Sequence, residues 1–271
     1  MHLVSIIKAI ILGIVEGVTE FLPVSSTGHL IIAEHFIHLS ADSHFVAAFE
    51  IVIQLGAILS IVVLFWQRLW PWATPAESRG RTWRLWLRVI VGIVPAVLIG
   101  FPLDKFITEH LFNPAVVSIT LALYGAALII VEAALKRRSG PRIEELSTMS
   151  LWLALAIGAF QALALIPGTS RSAATILGAM ILGLGRVAAA EFSFFMAIPI
   201  MVAASGLTLV RQGLHFTKSE WALLGIGFIV AFASALLVVR AFMNYLKNRD
   251  FTPFGYYRIV VGIAVFALLV L

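Results

Sequence analysis

Six stretches of the chain are apolar for long enough to cross a bilayer as single helices. A spanning helix needs roughly 20 mainly apolar residues. The last of the six carries Tyr256, Tyr257 and Arg258 but keeps the required length. The pattern predicts an all-α integral membrane protein with six transmembrane helices, at Phe45–Trp66, Leu85–Leu103, Pro114–Leu135, Val187–Val210, Trp221–Val239 and Pro253–Leu271.

Two further apolar regions, residues 6–39 and 151–184, are too long for one span and are interrupted near the middle. The interruptions read Pro23-Val-Ser-Ser-Thr-Gly28 and Pro167-Gly-Thr-Ser-Arg-Ser172. The pieces on either side have only about 15 residues, which is short for a hydrocarbon core ~30 Å thick. These regions predict two re-entrant helical hairpins, each of which enters and leaves the membrane on one side.

The lysines and arginines predict the orientation, because cytoplasmic loops are enriched in them. If the loop before Leu85 is cytoplasmic, 14 of the 19 basic residues lie inside, with Arg258 counted among them. Both termini then face outward, and the two hairpins enter from opposite faces. The remaining basic residues are Arg171, in the second interruption, and the four outside ones, Lys8, Lys105, Arg211 and Lys218.

The two halves of the chain carry the same landmarks in the same order. We therefore predict one membrane domain, residues 1–271, built as an inverted-topology repeat. The first repeat covers about 1–135 with hairpin 6–39, and the second covers about 150–271 with hairpin 151–184. Such repeats place their site near the midplane, where broken helices meet, although Pro and Gly also kink membrane helices without further consequence. The matching landmarks are Glu16 and Gln161, Pro23 and Pro167, Glu50 and Glu191, and Pro114 and Pro253.

The composition agrees with a membrane protein and excludes other classes. The 271 residues are 61% hydrophobic and 12% charged, with a mean hydropathy of +1.03. Soluble domains are about a quarter charged, so a soluble enzyme and a nucleic-acid-binding protein are both excluded. The net charge of +5 reports orientation and contact with lipid headgroups. The absence of cysteine excludes disulfides and thiolate metal sites.

Glu16 and Glu20 are the first candidates for chemistry, because ionisable groups at membrane depth are functional candidates by default. They lie four residues apart, on one face of a helix. Two adjacent buried carboxylates must share a proton or a cation. A divalent cation, Mg²⁺ or Ca²⁺, bound through oxygen ligands fits this pair. A role in helix packing and a proton site in a transporter are the alternatives.

Both interruptions have the pattern of a helix start, where proline and hydroxyl residues precede free backbone N–H groups. Such helix ends bind phosphate, and two of them meeting would hold two phosphoryl groups. Arg171 lies in the second turn and fits a phosphate bidentately, or it pairs with Glu16 or Glu20. The candidate phosphate-binding residues of the two turns are Ser25, Thr27, Gly168, Thr169, Ser170, Ser172 and Thr175.

His29 follows the first turn within reach of Ser26 and the other hydroxyls. We interpret it as a nucleophile or acid–base group, whereas a structural hydrogen bond is the ordinary role of a lone histidine. Glu50 and Glu191 are expected to hold the two hairpins in place by hydrogen bonding. Glu132 has no partner that the sequence indicates.

Two long motifs contain these candidates. The first is Glu16-Gly-Val-Thr-Glu20 followed by Phe21-Leu-Pro-Val-Ser-Ser-Thr-Gly-His29, and the second is Pro167-Gly-Thr-Ser-Arg-Ser-Ala-Ala-Thr175. They resemble the ExxxE and PGxSRSxxT elements of the bacterial undecaprenyl-diphosphate phosphatase family of the bacitracin-resistance type. The resemblance runs nearly end to end. It implies six spanning helices with two re-entrant hairpins, a bacterial plasma-membrane location and release of the terminal phosphate of undecaprenyl diphosphate for peptidoglycan synthesis.

The resemblance also suggests a division of roles. Glu16 and Glu20 hold a divalent cation against the diphosphate, Arg171 and the second turn bind the phosphate that leaves, and His29 or Ser26 attacks phosphorus or activates water. The rival interpretation is a secondary transporter or lipid flippase for an anionic substrate on the same inverted repeat. The expected partners are a lipid diphosphate and membrane lipid, without nucleic acid, and the sequence is compatible with a homodimer.

Overall fold

The computed structural model describes residues 3–40, 42–73, 75–137, 143–212 and 216–271. In these ranges the regular structure is helical apart from one isolated bridge between Ile143 and Leu184. The helices are α1 (Leu3–Thr19), α2 (Ser26–Phe36), α3 (Ser43–Leu64), α4 (Trp66–Leu69), α5 (Ala76–Phe106), α6 (Pro114–Lys136), α7 (Leu151–Ala162), α8 (Arg171–Ile181), α9 (Arg186–Gln212), α10 (Lys218–Leu246) and α11 (Thr252–Leu269).

The prediction of six membrane spans is confirmed in number and position. The helices long and apolar enough to cross a bilayer are α3, α5, α6, α9, α10 and α11. The largest departures from the predicted limits are in two of them, since α5 begins at Ala76 instead of Leu85 and α10 ends at Leu246 instead of Val239. Hydropathy marks only the apolar part of a helix, whereas the backbone hydrogen bonds continue into the polar layer. The protein is therefore a multi-pass membrane protein.

The two interrupted regions form pairs of short helices, α1 with α2 and α7 with α8. The chain between each pair turns so that the second helix starts at the hydroxyl cluster. Ser25 and Ser170 cap α2 and α8, accepting hydrogen bonds from the N–H groups of Gly28 and Ala173, each at 3.3 Å. That the two pairs are re-entrant and enter from opposite membrane faces stays a prediction, as do the orientation of the termini and the homodimer.

Ser25 and Ser170 also share an unusual backbone conformation. Their φ angles are 74° and 73°, and they are the only non-glycine residues with positive φ among the described residues. This region is strained for residues that carry a Cβ atom and is often retained at functional sites. The same strained cap thus occurs at both interruptions, and the inverted repeat stays a prediction.

Glycines allow the short helices to pack closely against the spans. A Cβ atom on Gly17 of α1 would lie 2.4 Å from the carbonyl oxygen of Ala231 in α10, and one on Gly158 of α7 would lie 2.0 Å from that of Gly92 in α5. Only glycine fits such backbone contacts. The broken helices are thereby held against α10 and α5, and the breaks themselves are left to face each other.

Glu132, for which the sequence indicated no partner, is the centre of a buried ion pair. Its carboxylate accepts two hydrogen bonds from Arg186, at 2.8 and 2.6 Å, and one from the backbone N–H of Phe251, at 3.0 Å. The carboxylate is fully buried. Glu132 thereby connects the end of α6 to the starts of α9 and α11. None of these contacts involves a residue of the two interruptions.

We expect Glu132→Ala to destabilise the protein without changing its chemistry. The side chain of Arg186 is 25% exposed, so the loss should be smaller than the about 3–5 kcal/mol lost when one partner of a fully buried ion pair is removed. Thermal melting in detergent should therefore occur at a lower temperature, while kcat per folded molecule stays at the wild-type value. A wild-type melting temperature would contradict the assigned role.

Candidate active site

The two interruptions lie against each other and bring their polar residues together. Ser172 Oγ, at the start of α8, donates a hydrogen bond of 2.8 Å to the carbonyl oxygen of Leu22 in the first interruption. Glu20, which follows the last residue of α1, accepts a hydrogen bond of 3.3 Å from Arg171 Nη2. Residues separated by about half of the chain thus meet at one point, as the two broken regions predicted.

A cavity of about 190 Å³ lies between the starts of α2 and α8. It contains most of the predicted residues of both turns, together with the carboxylate and the guanidinium that flank them. Five predicted residues are not part of its lining, namely Glu16, His29, Thr169, Ser172 and Thr175. The lining consists of Glu20, Ser25, Ser26, Thr27, Gln54, Ala164, Pro167, Gly168, Ser170, Arg171 and Met201.

Glu20 contacts polar residues of both turns in this cavity. One carboxylate oxygen accepts a hydrogen bond of 2.6 Å from Ser26 Oγ, and the other accepts the bond from Arg171. Arg171 Nη1 donates to the carbonyl oxygen of Ser193 in α9 at 2.8 Å, which fixes the plane of the guanidinium. Its Nε has no acceptor among the described residues. Part of the donor capacity of Arg171 is therefore unused.

Glu16 lies beside Glu20 on the buried side of α1. Its side chain is fully buried, and neither carboxylate oxygen has a hydrogen-bond donor within the described residues. Burying an ionised carboxylate without compensation is costly. A proton shared between Glu16 and Glu20, or a hard cation held by the oxygens of both, would remove this cost.

The surroundings of the pair fit a cation that also contacts substrate. No group of three or more His, Cys, Asp or Glu side chains suited to a metal occurs in the part of the chain that the structure describes. Mg²⁺ commonly binds through one or two carboxylates, with substrate phosphates and water completing its coordination. Glu16 and Glu20 are two such carboxylates, and among the described residues no third side chain of these types completes a metal site with them.

His29 lies outside the cavity, and both of its ring nitrogens are occupied. Nδ1 donates to the carbonyl oxygen of Ser25 at 2.7 Å, so Nε2 is the acceptor for the Tyr257 hydroxyl, also at 2.7 Å. The two rings stack with centroids 5.5 Å apart. Tyr257 gave no signal in the sequence beyond its position in an apolar span. Of the two candidate nucleophiles, the structure brings Ser26 into the cavity.

Thr175 and Ser193 support Arg171 from behind. The hydroxyl groups of these two residues are 2.5 Å apart, and Thr175 Oγ1 also donates to the carbonyl oxygen of Arg171 at 2.8 Å. Both residues are fully buried. Thr175, predicted as a phosphate-binding residue, thus contacts the chain that carries Arg171. Ser193 was missed because it lies in an apolar span outside both motifs.

Glu50 and Glu191 have different surroundings, although they are matching landmarks of the repeat. Glu191 accepts a hydrogen bond of 2.5 Å from Arg68 Nη1 in α4, and no hydrogen bond to it from residues 151–184 occurs in the part of the chain that the structure describes. Glu50 lines a second cavity of about 590 Å³ together with Glu34. This cavity shares Thr27 and Gln54 with the site cavity. It therefore forms a vestibule on the side of the molecule where α3 begins.

Arg258 corrects the sequence analysis, which counted it among the cytoplasmic charges. Its side chain is fully buried beside both interruptions, where it donates hydrogen bonds to four backbone carbonyl oxygens. A charge at the start of an apolar span looks like a loop residue when only hydropathy is considered. Without it, 13 basic residues instead of 14 remain on the predicted inner side, so the predicted orientation is unchanged.

Comparison with known proteins shows the family of the chain. The chain matches the family described as bacitracin resistance protein BacA over residues 9–264. The chain belongs to the BacA family. Within this BacA-family protein, the match includes both interruptions and the helices around them, and it leaves only the chain ends outside.

Relatives of the BacA-family protein cover nearly its whole length. The chain is 49% identical to undecaprenyl-diphosphatase 1 of Clostridioides difficile over 267 residues, which are 98% of this chain and 96% of the relative. It is 47% identical to undecaprenyl-diphosphatase of Limosilactobacillus fermentum, with 98% of each chain covered. It is 48% identical to the enzyme of the same name from Acetivibrio thermocellus, with 97% of each covered.

Proposed function

We propose that this protein hydrolyses undecaprenyl diphosphate to undecaprenyl phosphate and inorganic phosphate. The activity recycles the lipid carrier for peptidoglycan synthesis and confers bacitracin resistance. The observation that carries the proposal is the meeting of Glu20, Ser26 and Arg171 in one cavity between two helix starts. Nearly full-length relatives carry the name of this activity.

Binding of the diphosphate rests on the second turn and Arg171. The N–H groups at the start of α8 and the guanidinium provide donors for phosphate oxygens at the end of a helix whose dipole favours negative charge. The hydrogen bond from Arg171 to Glu20 is long, at 3.3 Å. The guanidinium can therefore exchange this contact for a phosphate, and its unpartnered Nε can then donate as well.

Ser26 is the group that attacks phosphorus. Its hydroxyl already donates to Glu20 at 2.6 Å, so the proton passes to this carboxylate as the Ser26 oxygen forms a bond to the terminal phosphorus. The bond from that phosphorus to the bridging oxygen breaks, and undecaprenyl phosphate leaves. Water then attacks the phosphoserine, releases inorganic phosphate and restores the hydroxyl of Ser26. Phosphoryl transfer of this kind depends mainly on positioning and neutralisation of charge.

A divalent cation, Mg²⁺ or Ca²⁺, is the cofactor that fits the two carboxylates. Glu16 and Glu20 would hold it. When bound, it neutralises charge on the diphosphate and polarises a phosphoryl oxygen. The buried, unpartnered oxygens of Glu16 support this assignment.

The lipid substrate and the inorganic phosphate use different routes to and from the site. The lipid tail enters sideways from the bilayer, because the site lies between helices at membrane depth. The vestibule that shares Thr27 and Gln54 with the site cavity provides a path for inorganic phosphate and water. It lies on the side where α3 begins, which the distribution of basic residues predicts to be the outer face of the bacterial plasma membrane. Both termini lie on that face.

Removal of divalent metal should abolish the activity. The purified protein in detergent, incubated with a prenyl diphosphate and EDTA, should release phosphate about 100-fold or more slowly than with Mg²⁺ or Ca²⁺, since metal stabilisation of phosphoryl charge is worth several kcal/mol. Restoring the metal should restore the rate. Glu16→Gln should respond to metal much less than the wild type.

Absence of phosphate release would support the rival interpretation, a secondary transporter or lipid flippase. A protein that binds prenyl diphosphate but releases no phosphate with any divalent metal would contradict the proposed reaction. Measurement of lipid flux in liposomes would then test transport directly.

A further inference from the structure

A single buried arginine connects both turns of the site without lining the cavity. Arg258, in α11, has a fully buried side chain. Its Nη1 donates to the carbonyl oxygen of Pro23 at 3.1 Å, in the first interruption. Its Nη2 donates to the carbonyl oxygens of Gly168 and Thr169, each at 2.9 Å, in the second. Its Nε donates to the carbonyl oxygen of Leu121 in α6 at 3.3 Å.

The contacts of Arg258 are unusual for a buried charge. Burial of a charge is normally compensated by an opposite charge, yet no ion pair involves Arg258 in the ranges that the structure describes. The acceptors are all backbone carbonyl groups, and three of them belong to the two turns. A guanidinium suits this position because its donors point in fixed, divergent directions in one plane.

The bond to Thr169 also orients a donor of the site. The peptide bond between Thr169 and Ser170 is trans, so its C=O and N–H groups point in opposite directions. Because the C=O group points to Arg258, the N–H group of Ser170 points away from it. Ser170 lines the cavity, and no bond from its N–H group to an acceptor occurs among the described residues. This N–H group is available to a phosphate oxygen.

We propose that Arg258 is a positioning residue of the phosphatase, which sets the distance and orientation of the two phosphate-binding turns. The inference rests on the proposed function. By holding Pro23 and Thr169 with one rigid group, Arg258 keeps the carboxylate and nucleophile of the first turn aligned with the donors of the second. Its positive charge, behind both turns, adds to the potential that attracts the diphosphate.

The variant Arg258→Lys tests the positioning role of Arg258 separately from its charge and from its contribution to folding. Arg258→Lys keeps the charge and three donors, but its single ammonium group cannot hold both turns in the same geometry. We expect kcat for release of phosphate to fall by about 100-fold, the effect of a small misplacement of reacting groups. Inhibition by inorganic phosphate should weaken at least about tenfold, since each lost contact of this type is worth roughly a factor of ten. The variant should remain folded.

Arg186→Gln is the matched control, because it removes another arginine, one that is only partly buried and whose partner, Glu132, does not line the cavity. It should lower the melting temperature and leave kcat and inhibition by phosphate unchanged. Arg258→Gln, measured in the same way, should show a larger loss of kcat than Arg258→Lys.

The outcomes distinguish this inference from the proposed function. If the wild type releases no phosphate, the proposed function itself fails. If the wild type is active and Arg258→Lys is folded with the kcat and phosphate inhibition of the wild type, Arg258 has no positioning role. If Arg258→Lys does not fold, or if its kcat falls only in proportion to the folded fraction, Arg258 is a structural tether and the inference is overturned.

Discussion

Arg171→Ala should lower kcat by a factor of about 10³ to 10⁵, the range found for arginines that neutralise phosphoryl charge in other enzymes. Arg171→Lys should recover no more than about tenfold of this loss, or ~1.4 kcal/mol of transition-state stabilisation. The reason is geometric. The guanidinium is held in one plane by its bond to the carbonyl oxygen of Ser193, and it presents two parallel donors that an ammonium group cannot reproduce.

The measurement is release of inorganic phosphate from a prenyl diphosphate by detergent-purified protein at saturating divalent metal. Arg240→Lys is the matched control, since Arg240 is an exposed residue of α10, and this variant should keep the wild-type kcat. An Arg171→Lys enzyme with nearly normal kcat would show that the site needs only a positive charge at this position, and the bidentate contact would have to be abandoned.

Ser26→Ala should be the second severe loss. If the hydroxyl is the attacking group, its removal eliminates the first chemical step and lowers kcat by on the order of 10⁴ or more, as in other enzymes that lose their nucleophile. The same change also removes the hydrogen bond to Glu20. His29→Gln should reduce kcat by only about tenfold, since His29 acts through contacts that shape the turn and does not reach the substrate.

A trapping experiment separates these assignments from one another. With prenyl diphosphate labelled in its terminal phosphate, rapid quenching in cold SDS at neutral pH, which preserves both phosphoserine and phosphohistidine, should yield labelled wild-type protein and no labelled Ser26→Ala. His29→Gln should still become labelled. Label retained by Ser26→Ala but lost from His29→Gln would reverse the assignment and make the histidine the nucleophile.

The sequence was informative wherever function depends on local chemistry or on long apolar segments. Six spans were predictable because about 20 consecutive apolar residues have few alternatives to a membrane helix. The meeting of Glu20 and Arg171 was predictable from the two interruptions, since ionisable groups at membrane depth need each other or a ligand. The hydroxyl caps of Ser25 and Ser170 followed from the pattern of a helix start.

The contacts made by single residues in apolar spans could not be predicted. Arg258 bonds to carbonyl groups, which every residue possesses, so no sequence pattern marks its partners. Tyr257 and Ser193 contact His29 and Arg171 across the fold, and neither belongs to a motif. His29 appeared to share the site with its neighbours, but the direction of a side chain on a helix decides which side it faces. That direction depends on where the turn ends.

The unpartnered carboxylate of Glu16 sets stability and activity against each other. Its burial without a hydrogen-bond donor lowers the stability of the folded protein, whereas the proposed activity requires the carboxylate. Such a trade-off between stability and activity is found at many functional sites. A library of variants selected for heat resistance alone should therefore lose glutamate at this position in favour of glutamine or an apolar residue. A library selected by survival on bacitracin should keep it, and the contrast between the two would identify the site without any assay of catalysis.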